Sequence, residues 1–279
     1  MMAVKTSAGF RRVVLALDPS ADHIAAVHEA AALAARLGAE LSAVFVEDRG
    51  LLGAAAHPFV RCFSAGNLGW REFGVADMEG AYRALAEKAR AATEEAAGNR
   101  KLHWSFTIVR GEVEASALAA AGEADLVVLG AGMDRLRAGA GRTKLAWRQT
   151  ARARRSVLVL RPETETPRIV ALYDGTDGAG RALQAARHLG DPGNLRIVMT
   201  ARDEPTARQL ESQARDLLGD AAGEAEFIAL PGLGARELRR FVTRIGAGLL
   251  VLADDSELLA EESAAHELGS CPCRVLVVR

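Results

Sequence analysis

The residues best placed to do chemistry lie in one stretch, GAGMDRLRAGAGRTK (130–144), at the end of the apolar run LVVLG (126–130). Gly130, Gly132, Gly139 and Gly141 would let backbone N–H groups close on an anion, and Thr143 adds a hydroxyl. Arg135, Arg137, Arg142 and Lys144 could neutralise phosphate charge. Asp18 is the second candidate. It ends the apolar run RVVLAL, at the edge where open α/β sheets place their ligands. A turn former or helix N-cap is the alternative role for an aspartate in DPS. Turnover chemistry has no comparable footing. There is no G-x-S-x-G elbow and no Walker loop, and the six histidines include no HxH or HxxxH pair. Cys271 and Cys273 form C-P-C, which is not a zinc spacing. No catalytic residue and no metal-ligand set is expected.

What positions these residues is a duplicated framework. RVVLALD (12–18) returns as RIVALYD (168–174), LVVLG (126–130) as LLVLA (249–253), and SVLVLR (156–161) as RVLVVR (274–279). The offset is 156 residues from Asp18 to Asp174 but 123 from Gly130 to Ala253, so the first copy carries about 33 extra residues. Two domains are expected, 1–162 and 168–279, joined by the polar, proline-bounded seam RPETETP (161–167).

The copies disagree where chemistry would sit. In the second, the equivalent loop reads ADDSELLAEESAAHE (253–267), with six carboxylates and no Lys or Arg, a composition that repels a triphosphate. Some of these acids also read as residues favoured at a helix start. The first copy has nine basic residues and no acidic one between 135 and 161. Three explanations stay open: two solvated faces of opposite sign, an ionic contact between the copies, or an anion site on the basic copy.

Short apolar runs without clean alternation fall at 12–17, 41–46, 104–109, 125–130 and 156–161. In the second copy they fall at 168–173, 195–200, 225–230, 248–253 and 274–279. Strands buried on both faces of a parallel sheet look like this. Helices are predicted between them: 23–37 with Ile24, Val27, Ala31, Ala34 and Leu37 on one stripe, then 77–97, 114–121, 179–189, 204–218, 234–246 and 256–268. Strand–helix alternation implies parallel sheets with helices on both faces. The stretch 48–75 breaks the rhythm. It is either a loop over the sheet edge with Phe59, Phe63 and Trp70 packed beneath it, or a lid or partner-docking segment.

Composition sets the outer bounds. A hydrophobic content of 49% supplies two cores, and aromatics at 5% leave Ala, Leu and Val to fill them. A net charge of −1 gives no argument for nucleic acid or a membrane surface. No apolar run approaches the roughly 20 residues that span a bilayer. The N-terminal MMAVKTSAGFRR lacks a signal-peptide core, and three cysteines make no disulfide framework. A cytoplasmic protein is expected.

Several strings resemble the universal stress protein family. YDGTDGAGRALQAARHL (173–189) looks like its opening strand, turn and first helix. RGEVEASALAAAGEADLVVLGAG (110–132) resembles its third-strand exit, helix and fourth strand, and ARRSVLVLRP (153–162) and CPCRVLVVR (271–279) its closing strand. The resemblance spans nearly everything except 48–75. It implies two tandem Rossmann-like domains of the adenine nucleotide alpha hydrolase type, each a five-stranded parallel sheet of order 3-2-1-4-5. It also implies a stress-related regulatory or ligand-sensing role, and pairing through closing strands, here within one chain as an internal pseudo-dimer, with further dimerisation between chains left open. Nucleotide-binding members carry Gly, two residues, Gly, nine residues, Gly, then Ser or Thr. Here Gly130 fits the first position, while Met133, Thr143 and Lys144 stand at the other three. Ala253, Ser256, Glu261 and Glu262 stand at all four in the second copy. Asp18, Gly130, Gly132, Gly141, Arg142, Thr143 and Lys144 are therefore the expected contacts for ATP or another adenine nucleotide, in the first copy only. The rival is a ligand-free interaction module, docking a protein partner through 48–75. An ATP-hydrolysing relative would need an early SGG-type loop where LDPS stands.

Overall fold

The computed structural model describes residues 10–19, 23–64, 69–112, 115–116, 119, 126–129, 155–161 and 166–279. The first half runs β1 (Arg12–Leu17), α1 (His23–Leu37), β2 (Glu40–Asp48), α2 (Arg49–Ala55), β3 (Arg61–Ser64), β4 (Gly69–Glu72), α3 (Val75–Gly98), β5 (Trp104–Gly111), β6 (Leu126–Leu129) and β7 (Ser156–Val159). The second runs β8 (Ile169–Tyr173), α4 (Asp177–Leu189), β9 (Leu195–Met199), α5 (Glu204–Leu218), β10 (Glu226–Ala229) and α6 (Ala235–Arg244). It closes with β11 (Leu249–Ala253), α7 (Glu257–Ala260), α8 (Ala264–Gly269) and β12 (Arg274–Val278).

Ten of these strands make one sheet, in the order β10-β9-β8-β11-β12-β7-β6-β1-β2-β5. Each half contributes five parallel strands in the order 3-2-1-4-5, as expected. The halves meet at β7 and β12, which pair antiparallel with Val157 opposite Val277 and Leu158 opposite Leu276. The interior strands β1, β6, β8 and β11 are buried almost throughout, whereas the edge strand β5 alternates. Missing alternation in the sequence therefore marks a central position, because both faces are covered.

The two faces are organised differently. On one, a single core runs across the junction, from Leu15 and Val27 of the first half through Leu158 and Leu276 to Ile169 and Leu183 of the second. On the other, each half has a core of its own, one around Val14 and Val127 and one around Leu238 and Leu250. Helix α1 belongs to the shared face. Its buried stripe is Val27, Ala30, Ala31 and Ala34, while Ile24, expected on that stripe, is 47% exposed at the first turn. Alanines there let α1 lie close to the sheet, and Gly38 ends the helix in the left-handed region.

The other departures have local causes. The described residues of 48–75 include α2 and a two-stranded sheet in which β3 and β4 pair with each other, and Phe59, Phe63 and Trp70 are exposed. Phe59 is 94% exposed and Trp70 62%, with Phe63 edge-to-face on Trp70 at 5.4 Å. What anchors the segment instead is Tyr82 on α3, whose hydroxyl donates to the Asp48 carbonyl at 3.0 Å, while the Asp48 carboxylate caps α2 at Gly50 N. The predicted helix 256–268 is two helices, α7 and α8, because Glu261 takes an extended conformation between them. Of the helix expected at 114–121, only residues 115, 116 and 119 are described.

Candidate functional site

Parallel strands β1 and β6 are neighbours with Ala16 opposite Leu129, and between them the strand order reverses. Ligands of open α/β sheets enter at such a switch point. Asp18 follows β1 there and is buried, at 9% exposure. The chain leaves β6 on the same edge, heading into the glycine-rich basic loop. Gly130, Gly132, Gly141, Arg142, Thr143 and Lys144 lie outside the described residues, so of the expected contacts the structure places Asp18 alone. The α2–hairpin segment leaves β2 at that same carboxyl edge.

The second half shows its equivalent edge in full, where β8 lies beside β11. Asp174 follows β8 as Asp18 follows β1, and its carboxylate is engaged locally. It accepts from Thr176 N at 3.0 Å and from the Thr176 hydroxyl at 2.7 Å, and that hydroxyl in turn caps α4 by accepting from Ala179 N at 3.1 Å. The DGT string therefore builds a helix start.

The acidic loop after β11 turns back onto helix starts. The Asp255 carboxylate lies against Gly178, in the first turn of α4, where a Cβ would overlap it. Both Glu261 oxygens accept from Ala235 N, at 3.1 and 3.3 Å, and so cap α6, whose own N-cap residue, Gly234, has no side chain to do so. Helix N-termini carry partial positive charge and unpaired N–H groups, the features that attract phosphate. Here the chain's own carboxylates stand at two of them. Glu267 accepts from Arg239 at 2.5 Å, and that guanidinium holds its carboxyl below the usual range. Asp254 faces Arg279 at 3.7 Å. Among the described residues, Glu261, Glu267 and Asp254 thus have partners in their own half. Replacing Glu261 by Ala should cost about 1 kcal/mol, the ordinary loss of a helix cap, read as a lower urea midpoint.

Among the described residues, contacts of charged side chains also cross between the halves. Arg274 of β12 pairs with Glu29 of α1 at 2.6 Å. Arg161, at the end of the basic stretch, donates to the Gly269 carbonyl at 2.6 Å. Cys271 and Cys273 are buried in the second half's own core, and the hydrogen bond with the Cys273 thiol, followed by burial, pushes the Cys271 thiol up. Among the described residues no group of three or more His, Cys, Asp or Glu could hold a metal ion, and no helix is long and apolar enough to cross a membrane. The capping role of Glu261 was missed from sequence. A Gly at the N-cap of α6 signals only that a cap must come from elsewhere.

No protein-family model matches the sequence, and neither does any curated protein. Solved structures do. A universal stress protein from Archaeoglobus fulgidus is 13% identical over 96% of both chains, with a TM-score of 0.66. A functionally unknown protein from Pseudomonas aeruginosa is 14% identical over 96% of this chain and 92% of its own, with a TM-score of 0.58. Together with the strand order and the closing-strand pairing, these likenesses show that the chain has the fold of the universal stress proteins along nearly its whole length.

Proposed function

We propose that this chain is a stress-response regulatory protein built of two units, 1–162 and 168–279, that senses an adenine nucleotide in the first unit only. The observation that carries this reading is the asymmetry of the two switch-point edges. In the second unit, Asp255 and Glu261 stand at the helix N-termini that would otherwise face phosphate. In the first, a buried Asp18 follows β1 beside β6, and the sequence after β6 is rich in glycine and cations. Asp18 holds the adenosine part, and Gly130, Gly132, Gly141, Arg142, Thr143 and Lys144 hold the phosphates.

Native mass spectrometry and thermal shift with ATP, ADP and AMP test it. The expected result is one nucleotide per chain, lost in Lys144→Glu and weakened in Asp18→Asn and Gly132→Ala. Loss of one charge-assisted contact lowers affinity by about tenfold. Two nucleotides per chain, or full binding by all three variants, would refute the assignment. Slow or absent ATP loss over catalytic amounts of protein is expected, because LDPS stands where an ATP-hydrolysing relative would carry an SGG-type loop.

A second reading, a ligand-free interaction module, has one observation in its favour: the exposed aromatics Phe59, Phe63 and Trp70 at the same edge. It predicts empty protein and no nucleotide shift.

A further inference from the structure

A cavity of about 150 Å³ opens at the junction of the halves, on the face where they share one core and at a distance in the chain from both switch-point loops. Its floor is apolar: Leu158 of β7, Ile169 of β8, Leu189 at the end of α4 and Leu249 of β11, all at least nine-tenths buried. One wall is a stripe of α1, Glu29, Ala32, Leu33 and Arg36, whose spacing puts them on one face of the helix. The opposite wall is the turn after α4, Gly190 to Asn194. Gly190 leaves room there for the tip of the Ile169 side chain, which a Cβ would displace.

The rim decides what fits. Arg274 and Glu29 line the cavity but satisfy each other at 2.6 Å, and Arg274 also donates to the Gly248 carbonyl at 3.1 Å. That leaves one cation and one carboxylate of the lining, Arg36 from the first half and Asp191 from the second, with no hydrogen bond or ion pair to any described residue. A space of this size accepts a benzene-sized body, as an apolar cavity of ~150 Å³ does elsewhere. A dry floor with an unpartnered cation on one wall and an unpartnered carboxylate on the other fits a zwitterion with an apolar tail.

We propose that this junction is a second ligand site, taking a free α-amino acid with an apolar side chain of leucine or phenylalanine size. The side chain fills the floor, the carboxylate pairs with Arg36 and the ammonium with Asp191. The ligand thereby bridges α1 to the turn after α4, and its binding energy adds to the contact between the halves. Nucleotide binding at the switch point is not required.

Thermal shift and calorimetry at millimolar L-leucine and L-phenylalanine test this on the full chain, with 3-phenylpropionate, phenethylamine and L-alanine as controls. The two amino acids should stabilise the protein, while each control lacks one of the three features and should bind at least about tenfold more weakly. Arg36→Gln and Asp191→Asn, both exposed changes that leave the core intact, should each lose a similar factor. Ala32→Phe, which fills the cavity, should abolish the effect while keeping any nucleotide binding. No stabilisation by either amino acid, equal binding of 3-phenylpropionate or phenethylamine, or undiminished binding by the Arg36 and Asp191 variants would overturn the proposal. Each of those results would leave the nucleotide reading standing.

Discussion

Replacing Leu276 by Ala should lower the stability of the chain by about 2–5 kcal/mol, and the loss should be felt in the half that does not contain the substitution. Leu276 is fully buried on β12, opposite Val251 in the parallel pair and Leu158 in the antiparallel one. It belongs to the core that runs from α1 to α5, so the cavity left by three lost carbons has walls from both halves. The three tryptophans, Trp70, Trp104 and Trp147, all lie in the first half. Urea unfolding followed by tryptophan fluorescence therefore reports a half that Leu276 is not in, while far-UV circular dichroism reports both. The expected result is one transition, with both signals moved to the same lower midpoint. A fluorescence midpoint equal to that of the unsubstituted protein, with only the dichroism moved, would mean that the β7–β12 junction does not couple the halves.

That coupling explains what was legible in the sequence. A strand covered on both faces must be apolar at every position, so RVVLAL and LLVLA could be read without knowing their neighbours. The helix start at Thr176 could be read too, because an Asx turn and an N-cap are built from residues within a few positions of one another. Charge gave the asymmetry of the two edges but not its use. Nothing in ADDSELLAEESAAHE says that Glu261 reaches back 26 residues to Ala235 N, or that this bond divides the predicted helix at 256–268 into two. Side-chain capping across elements depends on packing, and a periodicity argument sees only one element at a time. The β3–β4 hairpin failed for a related reason. Its strands are four residues each, and they have no buried face to impose alternation. The aromatics that suggested a covered face are exposed.

The junction cavity was likewise invisible, since its walls come from α1 and from a turn some 155 residues later. The two copies keep the same strand order yet differ in the sequence that follows the fourth strand, basic in one and acidic in the other. Strand order follows from burial on two faces, which every substitution must respect. Loop chemistry follows from a handful of side chains, which can change sign without disturbing the sheet.

Tyr82 carries the other large expected effect. It is the largest fully buried side chain, edge-on to Phe45 at 6.4 Å, and its hydroxyl holds the Asp48 carbonyl where β2 passes into the inserted segment. Tyr82→Ala should cost about 3–5 kcal/mol, as other buried aromatic truncations do. Tyr82→Phe keeps the ring and loses one hydrogen bond, about 1 kcal/mol at neutral pH. Alkaline pH should reverse that order. Burial first, and then the nearby Asp48 and Glu47 carboxylates, push the phenol from 10.0 up to about 12. A raised folded value means that the native state holds the proton more tightly than the unfolded chain. The associated stability is complete below the unfolded value and is lost as pH climbs through the folded one, at about 1.4 kcal/mol per pH unit in between. Phenylalanine has no proton to lose. The two proteins should therefore be equally stable near about pH 11, with Tyr82→Phe the more stable above it. Parallel stability curves through the alkaline range would show instead that the phenol ionises as readily in the folded chain as in the unfolded one. Because Tyr82 fixes the end of β2 on the edge shared with Asp18, Tyr82→Ala should also weaken the nucleotide binding proposed for the first half more than Tyr82→Phe does. A variant that binds normally while unfolding early would separate the anchoring of the inserted segment from the shape of the site beside it.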